Sequence, residues 1–384
     1  MIVQYAGDFR EAHRRLRSTG EETYYGHRYV FEQLDRIRRE FGEVAIVCCL
    51  SPERYQETLP GGLTVMGAKA HPRRDIARLE RLMADWSPTD LIVLGPLTRV
   101  IRWGLKTDRR MMCQFADSFE FNPLLRLAKF GRLGKLLNDP RIGWVSNHGT
   151  NACKSLTRLG VDPGKVIPWD WPYQRDPAQT PPREKPRGDG ANLLYVGSVQ
   201  TKKGVGDAVA AVARLRARGR PVRLKVVGGG ETDRFRALAA SLPGGDGVEF
   251  LGVVPNGRVF DLMKEADALI VPSRHDYPEG LPLTIYEALC ARTPIIASDH
   301  PMFRGHLEDR KTAVTFRAKD VRGLAAGIEA LLDEPGLYSR LSHASRATWA
   351  GMQNPVKWGD VLYRWISDAA EDRAWLRSHA IGGA

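Results

Sequence analysis

Cysteine is scarce in this chain and no hydrophobic run is long. Five cysteines among 384 residues, with only Cys48 and Cys49 adjacent and no Cys-x-x-Cys, give neither a disulfide framework nor a zinc site. They are expected as small buried hydrophobes. The longest apolar stretch, VAIVCCL at Val44–Leu50, is far short of the ~18 residues a membrane-spanning helix needs. The N-terminus MIVQYAGDFR has no charged region followed by an apolar stretch and a small-residue cleavage site, so the chain is expected to stay in the cytoplasm. Asp-x-Asp triplets are absent and the histidines do not pair at ligand spacing, so no metal is expected. GSVQTKKGVG has no Gly-Lys-Ser/Thr, and VVGGGE is not Gly-x-Gly-x-x-Gly. Neither ATP hydrolysis nor NAD is indicated.

What is plentiful is positive charge. The net +12 suits nucleic acid, anionic lipid or anionic small molecules, but it is spread rather than focused, +7 over residues 1–172 and +5 over the rest. No helix-turn-helix, zinc-finger or RNA-recognition motif accompanies it, so no nucleic-acid partner is expected. In LLRLAKFGRLGKLL, Arg126, Lys129, Arg132 and Lys135 recur every three residues. That spacing drifts around a helix, and Leu133 and Leu136 fall among the charges. A clean interfacial helix is not supported, and a loose peripheral contact with anionic lipid is left open.

The length fits two domains, each with its own core. Short β-rich runs, MIVQYAG, EVAIVCCL, LTVMG, DLIVLG, MMCQF, GWVSN and KVIPW, alternate with helical patterns, as in Val30, Leu34, Ile37 and Phe41. Such alternation predicts parallel sheets built of β-α units. Residues 172–191 carry proline, glycine and charge without periodicity, and read as an exposed linker. A second α/β series follows with NLLYVG, RLKVVGGG, VEFLGVV, ALIVPS, PIIASD and AVTF. The expected layout is a first Rossmann-like domain over 1–171, the linker over 172–191, and a second Rossmann-like domain over 192–355. Residues 356–384 form a terminal helix, with packing back on the first domain left open. The two doubly wound α/β domains would face each other across a cleft.

One stretch, YPEGLPLTIYEAL, places Glu279 in a Pro/Gly-rich turn and Glu287 inside a predicted helix. Each alone is an ordinary helix-start acid or a solvated helix face. Together they flank a helix start, whose unpaired N–H groups and partial positive charge favour an anion. Gly280 lets a ligand approach the backbone, and carboxylates accept hydrogen bonds from sugar hydroxyls well. Acid, anion hole, acid matches hydroxyl, diphosphate, hydroxyl, the order of groups in a nucleotide sugar.

EGLPLTIYEAL resembles the paired-glutamate motif of the retaining glycosyltransferases of family 4, which have the GT-B fold. LLYVGSVQTKKGVGDAV is similar to that family's phosphate loop, and LKVVGGGE, VEFLGVVP, ADALIVPS and TPIIASDHP resemble further segments in family order. The first half resembles the family mainly in layout, through YYGHRYVFEQL and KVIPWDWP. The resemblance implies a hexosyl transfer from a UDP- or GDP-sugar to a glycan or lipid-linked hydroxyl, with retention, no cofactor and no metal. It places Glu279 against the donor sugar, Glu287 on the ribose, and Lys203 on the diphosphate. Gly197, Ser198, Gly280, Leu281, Pro282 and Leu283 complete the donor side, and Gly26 and His27 the acceptor-side cleft loop.

Two positions depart from the family pattern. Ser198 stands where an arginine is usual, with Lys202, Arg274 and Arg304 as candidate replacements. Asp117 stands in the region of the first domain where a histidine is usual, and is taken as the catalytic or orienting carboxylate on the acceptor side, although it could equally cap the next helix. His148 is read as structural. Other readings of the same fold are a sugar-nucleotide epimerase and a catalytically silent nucleotide-sugar-binding scaffold.

Overall fold

The structure is a computed structural model and describes residues 1–22, 26–120, 123–186 and 190–383, with backbone alone at 123–125 and 127–129. Tyr24 and Tyr25 of the glycine-containing loop and residues 187–189 of the expected linker lie outside the described residues. The chain divides into unit 1, Met1–Pro172 with Asn354–Ala384, and unit 2, Tyr173–Gln353.

Unit 1 contains the strands β1 (Ile2–Gln4), β2 (Ala45–Cys48), β3 (Tyr55–Thr58), β4 (Thr64–Gly67), β5 (Asp90–Leu94), β6 (Arg110–Phe115), β7 (Ile142–His148) and β8 (Val166–Trp169). Their order across the sheet is β3-β4-β2-β1-β5-β6-β7-β8, parallel except for the β3–β4 pair. β2 and β4 are buried at every position, as expected of strands covered on both faces by crossover helices. The order reverses at β1, whose neighbours are β2 and β5, so ligand space is expected beyond the carboxyl ends of β1 and β5.

Unit 2 holds β9 (Ala191–Val196), β10 (Val222–Val227), β11 (Val248–Gly252), β12 (Ala268–Val271), β13 (Ile295–Ser298) and β14 (Val314–Phe316). The sheet runs β11-β10-β9-β12-β13-β14 and reverses between β9 and β12. It is parallel throughout. All five cysteines are free and buried, and no helix of the described residues is long and apolar enough to cross a membrane.

Three local features differ from the sequence reading. The stretch read as an exposed linker is built into unit 2 from Tyr173 onward, because Arg183 donates to Lys264 O and Ala266 O at 2.7 Å and to Ala291 O at 3.2 Å. The terminal segment is two helices, Trp358–Ser367 and Ala370–Ser378, separated where Asp368 takes a left-handed φ of 52°. Phe41, expected on the buried stripe of its helix, is 43% exposed, while Val30, Leu34 and Ile37 are buried.

Candidate functional site

In unit 2 the loops after β9 and β12 meet at the point where the sheet order reverses. Lys203 ends a short 3₁₀ turn, Thr201–Lys203, and Gly204 follows with φ 73°. A Cβ on Gly204 would lie 2.0 Å from the carbonyl oxygen of Pro272, so only glycine lets the lysine loop close on the end of β12. Lys203 Nζ then reaches Glu279 Oε1 at 2.5 Å, and the Ser273 hydroxyl donates to the same oxygen at 2.6 Å. Glu279 is buried at 5% exposure, and its Oε2 has no hydrogen-bond partner among the described residues. The ammonium also lies 4.5 Å from the Tyr277 ring centroid, which adds a cation–π attraction.

The loop is braced from behind. Arg274 N donates to Lys202 O at 2.9 Å, and Ser298 Oγ donates to Ser273 O at 2.6 Å. His300 Nε2 donates to Tyr277 O at 3.1 Å while its Nδ1 accepts from Met302 N at 3.3 Å. This is the neutral Nε2–H tautomer, and burial lowers the imidazole pKa accordingly.

Pro282 has no N–H, so the segment from Gly280 to Leu283 offers fewer donors than its length suggests. Gly280 and Leu281 are buried, and helix Leu283–Cys290 starts directly after Pro282. The N–H groups of Gly280, Leu281, Leu283 and Thr284 have no hydrogen-bond partner among the described residues, which leaves donors for an anion beside Lys203. Glu287 lies in that helix at 7% exposure. It accepts from Asn256 Nδ2 at 3.1 Å, with Arg175 3.9 Å away. Burial pushes its carboxyl up to about 7, against the pull of that hydrogen bond.

Gly197 and Ser198 follow β9, where the Ser198 carbonyl accepts from Tyr195 Oη at 2.7 Å. Of the cations considered as substitutes for the usual arginine, Arg274 is held by both oxygens of buried Asp207, at 2.9 and 2.7 Å. A bidentate pair of this kind fixes the guanidinium on its carboxylate, so Arg274 is bound to the protein rather than presented to a ligand. Lys202 lies 3.6 Å from Asp276.

The residues assigned to the acceptor side lie in unit 1, where Gly26, His27 and Asp117 line one cavity of about 1090 Å³. A Cβ on Gly26, at φ 95°, would come 3.0 Å from the Trp171 ring. Burial lowers the pKa of the His27 imidazole. Asp117 follows β6, half-buried, and its carbonyl accepts from Asn147 Nδ2 at 2.8 Å. His148 stacks on Trp169 at 4.9 Å and its Nε2 lies 3.1 Å from Asp170 Oδ1. Ser273, Asn256 and Arg175 were not singled out by the sequence. Ser273 only ends an apolar run, and Asn256 sits in PNGR, which reads as a turn.

Residues 178–348 match the model of the family described as glycosyl transferases group 1. The chain is 30% identical over 200 residues to a glycogen synthase of Mycobacterium tuberculosis, covering 50% of this chain and 43% of that protein. It is 30% identical over 161 residues to a phosphatidyl-myo-inositol mannosyltransferase of Mycolicibacterium smegmatis, covering 42% and 40%. The matches therefore span less than half the length of these relatives. Among solved structures, a sucrose-phosphate synthase from Thermosynechococcus elongatus superposes with TM-score 0.67 at 14% identity, covering 98% of this chain and 99% of that one. Anabaena HepE in complex with UDP and glucose superposes with TM-score 0.64 at 12% identity, covering 98% and 100%.

Proposed function

We propose, on the premise that residues 178–348 belong to the group 1 glycosyl transferases and that the two units have the GT-B fold, that this chain moves a hexosyl unit from a UDP- or GDP-sugar. The acceptor is a hydroxyl of a glycan or lipid-linked molecule, transfer retains the anomeric configuration, and no metal ion is needed. The observation that carries the reading is the buried Lys203–Glu279–Ser273 cluster beside the unpaired N–H groups at the start of helix Leu283–Cys290.

Each part has a task in that reaction. The donor diphosphate takes the Lys203 ammonium and the N–H groups, and Lys203 gives up its bond to Glu279. That exchange turns the Glu279 carboxylate to a hydroxyl of the donor sugar, while Ser273 keeps it oriented. Glu287 accepts from the ribose. As the glycosidic bond breaks, negative charge grows on the leaving phosphate, and donors already aimed there lower the barrier most. The acceptor hydroxyl attacks from the same face and passes its proton to the departing phosphate. Asp117 is the carboxylate assigned to orient that hydroxyl.

Thermal unfolding against UDP, GDP, ADP, CMP and dTDP, with and without magnesium, tests this. Ligand at a hundredfold excess over Kd adds about 2.7 kcal/mol to stability. A shift with one diphosphate, independent of magnesium and reduced by Lys203→Ala, is expected. No shift with any of them sinks the proposal, and turnover of the donor without an acceptor replaces it with the epimerase reading.

A further inference from the structure

Three cations of the lysine loop and of the turn after β12 are each matched by a carboxylate. Lys203 reaches Glu279, Lys202 lies 3.6 Å from Asp276, and Arg274 is held by Asp207. Exposure ranks the two pairs not yet given a task. The side chains of Lys202 and Asp276 are 57% and 42% exposed, so water and salt screen them and the pair counts for little. Those of Arg274 and Asp207 are 23% and 8% exposed, and two hydrogen bonds at 2.9 and 2.7 Å lock the guanidinium on both carboxylate oxygens.

The alignment of the two loops does not depend on that pair. The main-chain N–H of Arg274 donates to Lys202 O at 2.9 Å, and Gly204 packs directly on the Pro272 carbonyl. Nor does Asp207 cap its own helix. It lies in the first turn of Val205–Ala217, just beyond Lys203 and Gly204, yet both its oxygens go to Arg274. What the pair contributes is charge. A buried carboxylate beside the lysine loop opposes an anion there, and this one also holds a second cation on itself.

The proposed reaction gives that arrangement a task. The leaving nucleoside diphosphate ends in a phosphate whose second ionisation lies near pH ~6. In the donor, esterification to the sugar removes that ionisation. The product therefore carries more negative charge at neutral pH than the donor, and each uncompensated cation in the site favours product over donor. We infer that Asp207 sets the balance between the two: by sequestering Arg274 it withholds a cation from the diphosphate site, so that the nucleoside diphosphate is released. Asp207 is a positioning residue that acts through Arg274. The inference rests on the transferase reading and adds a determinant of selectivity to the same site.

Calorimetric titration of the full chain with UDP, GDP, UDP-glucose and GDP-mannose tests this on the parent and four variants. In Asp207→Asn the freed guanidinium is expected to tighten the nucleoside diphosphate about tenfold and its sugar ester about threefold, since Coulomb attraction scales with ligand charge. Arg274→Ala leaves the carboxylate alone and moves both ligands the other way, the diphosphate again moving more. Arg274→Lys restores the charge and keeps both within about threefold of the parent. Asp207→Asn combined with Arg274→Ala removes both charges and does the same, to about threefold. Where Arg274→Ala does not fold, Asp207→Asn and the double variant, which leave no buried carboxylate unpaired, carry the test. Unfolding midpoints are read on the same samples. A pair that only holds the fold together lowers the midpoint and weakens both ligands in Asp207→Asn as in Arg274→Ala, and that outcome overturns the inference. Equal tightening of diphosphate and sugar ester by Asp207→Asn overturns it, as does unchanged binding in all four variants. In each of those cases a parent that binds nucleotide leaves the transferase reading standing. A parent that binds none of the four ligands overturns that reading and this inference together.

Discussion

Glu279 and Lys203 neutralise each other in the unliganded chain, so the two residues respond to substitution in opposite ways. Glu279→Gln frees the ammonium and removes a negative charge from beside the position proposed for the donor diphosphate. UDP or GDP is then expected to bind about tenfold tighter, worth about 1.4 kcal/mol, while kcat falls on the order of a hundredfold or more for loss of a preorganised charge at the reacting sugar. Equilibrium titration and steady-state rates on one preparation check both directions; weaker nucleotide binding would remove the exchange between carboxylate and phosphate from the mechanism. Glu287 gives a second residue-scale outcome. Its carboxyl is raised by burial from 4.5 to about 7, so between those values the folded chain holds a proton that the unfolded chain has lost. The stability this group contributes is complete below pH 4.5 and disappears as pH rises through 7. Glu287→Gln keeps the shape without the titration, and should gain about 3 kcal/mol relative to the parent between pH 4.5 and 8. Parallel curves of unfolding midpoint against pH for the two proteins would show that this carboxyl does not titrate in that window.

At the scale of elements, Arg183 shows how a stretch without periodicity becomes structure. Its guanidinium donates to carbonyls at the ends of helices Asn256–Glu265 and Leu283–Cys290, where a cation also meets the negative end of each helix dipole. Arg183→Ala should cost about 2 kcal/mol, the scale of charged hydrogen bonds lost together, read from the urea midpoint at unchanged slope. A loss within a few tenths of a kcal/mol would mean that water replaces the arginine. The strands were legible because their burial writes itself as short apolar runs, as in AIVC and ALIV. The loop after β12 was legible because proline and glycine punctuate it before a helical pattern. The docking of 173–183 was not, since it depends on donors meeting helix ends more than 80 residues away. The break at Asp368 was hidden because the apolar stripe of Trp358, Leu362 and Trp365 gives no sign that an aspartate takes a left-handed φ. Gln114 and Trp169 were illegible for a similar reason: within MMCQF and KVIPWDWP they read as ordinary strand residues, and only the packing leaves their polar atoms without a partner among the described residues.

The whole molecule has two apolar cores, one built from unit 1 strands such as β1, β5 and β6 and the other from unit 2 strands such as β9, β10 and β12. The chain leaves unit 1 after Pro172 and returns at Asn354, so the last segment packs back onto the unit that the first residue begins. Trp358 stacks on Trp171, Gly359 N donates to Tyr29 Oη at 3.1 Å, and Arg110 lies 4.8 Å over the Trp365 ring. Tyr29 is pushed up to about 12 by its burial there, so its hydroxyl stays protonated through the neutral range. Separate cores predict two calorimetric transitions, of which a nucleoside diphosphate raises only the one belonging to unit 2. Trp358→Ala should lower the other by about 3 to 5 kcal/mol, the usual cost of emptying a buried tryptophan site, and leave the nucleotide-induced shift intact. A single transition that nucleotide moves as a whole, and that Trp358→Ala lowers as a whole, would mean that the two cores unfold as one cooperative unit.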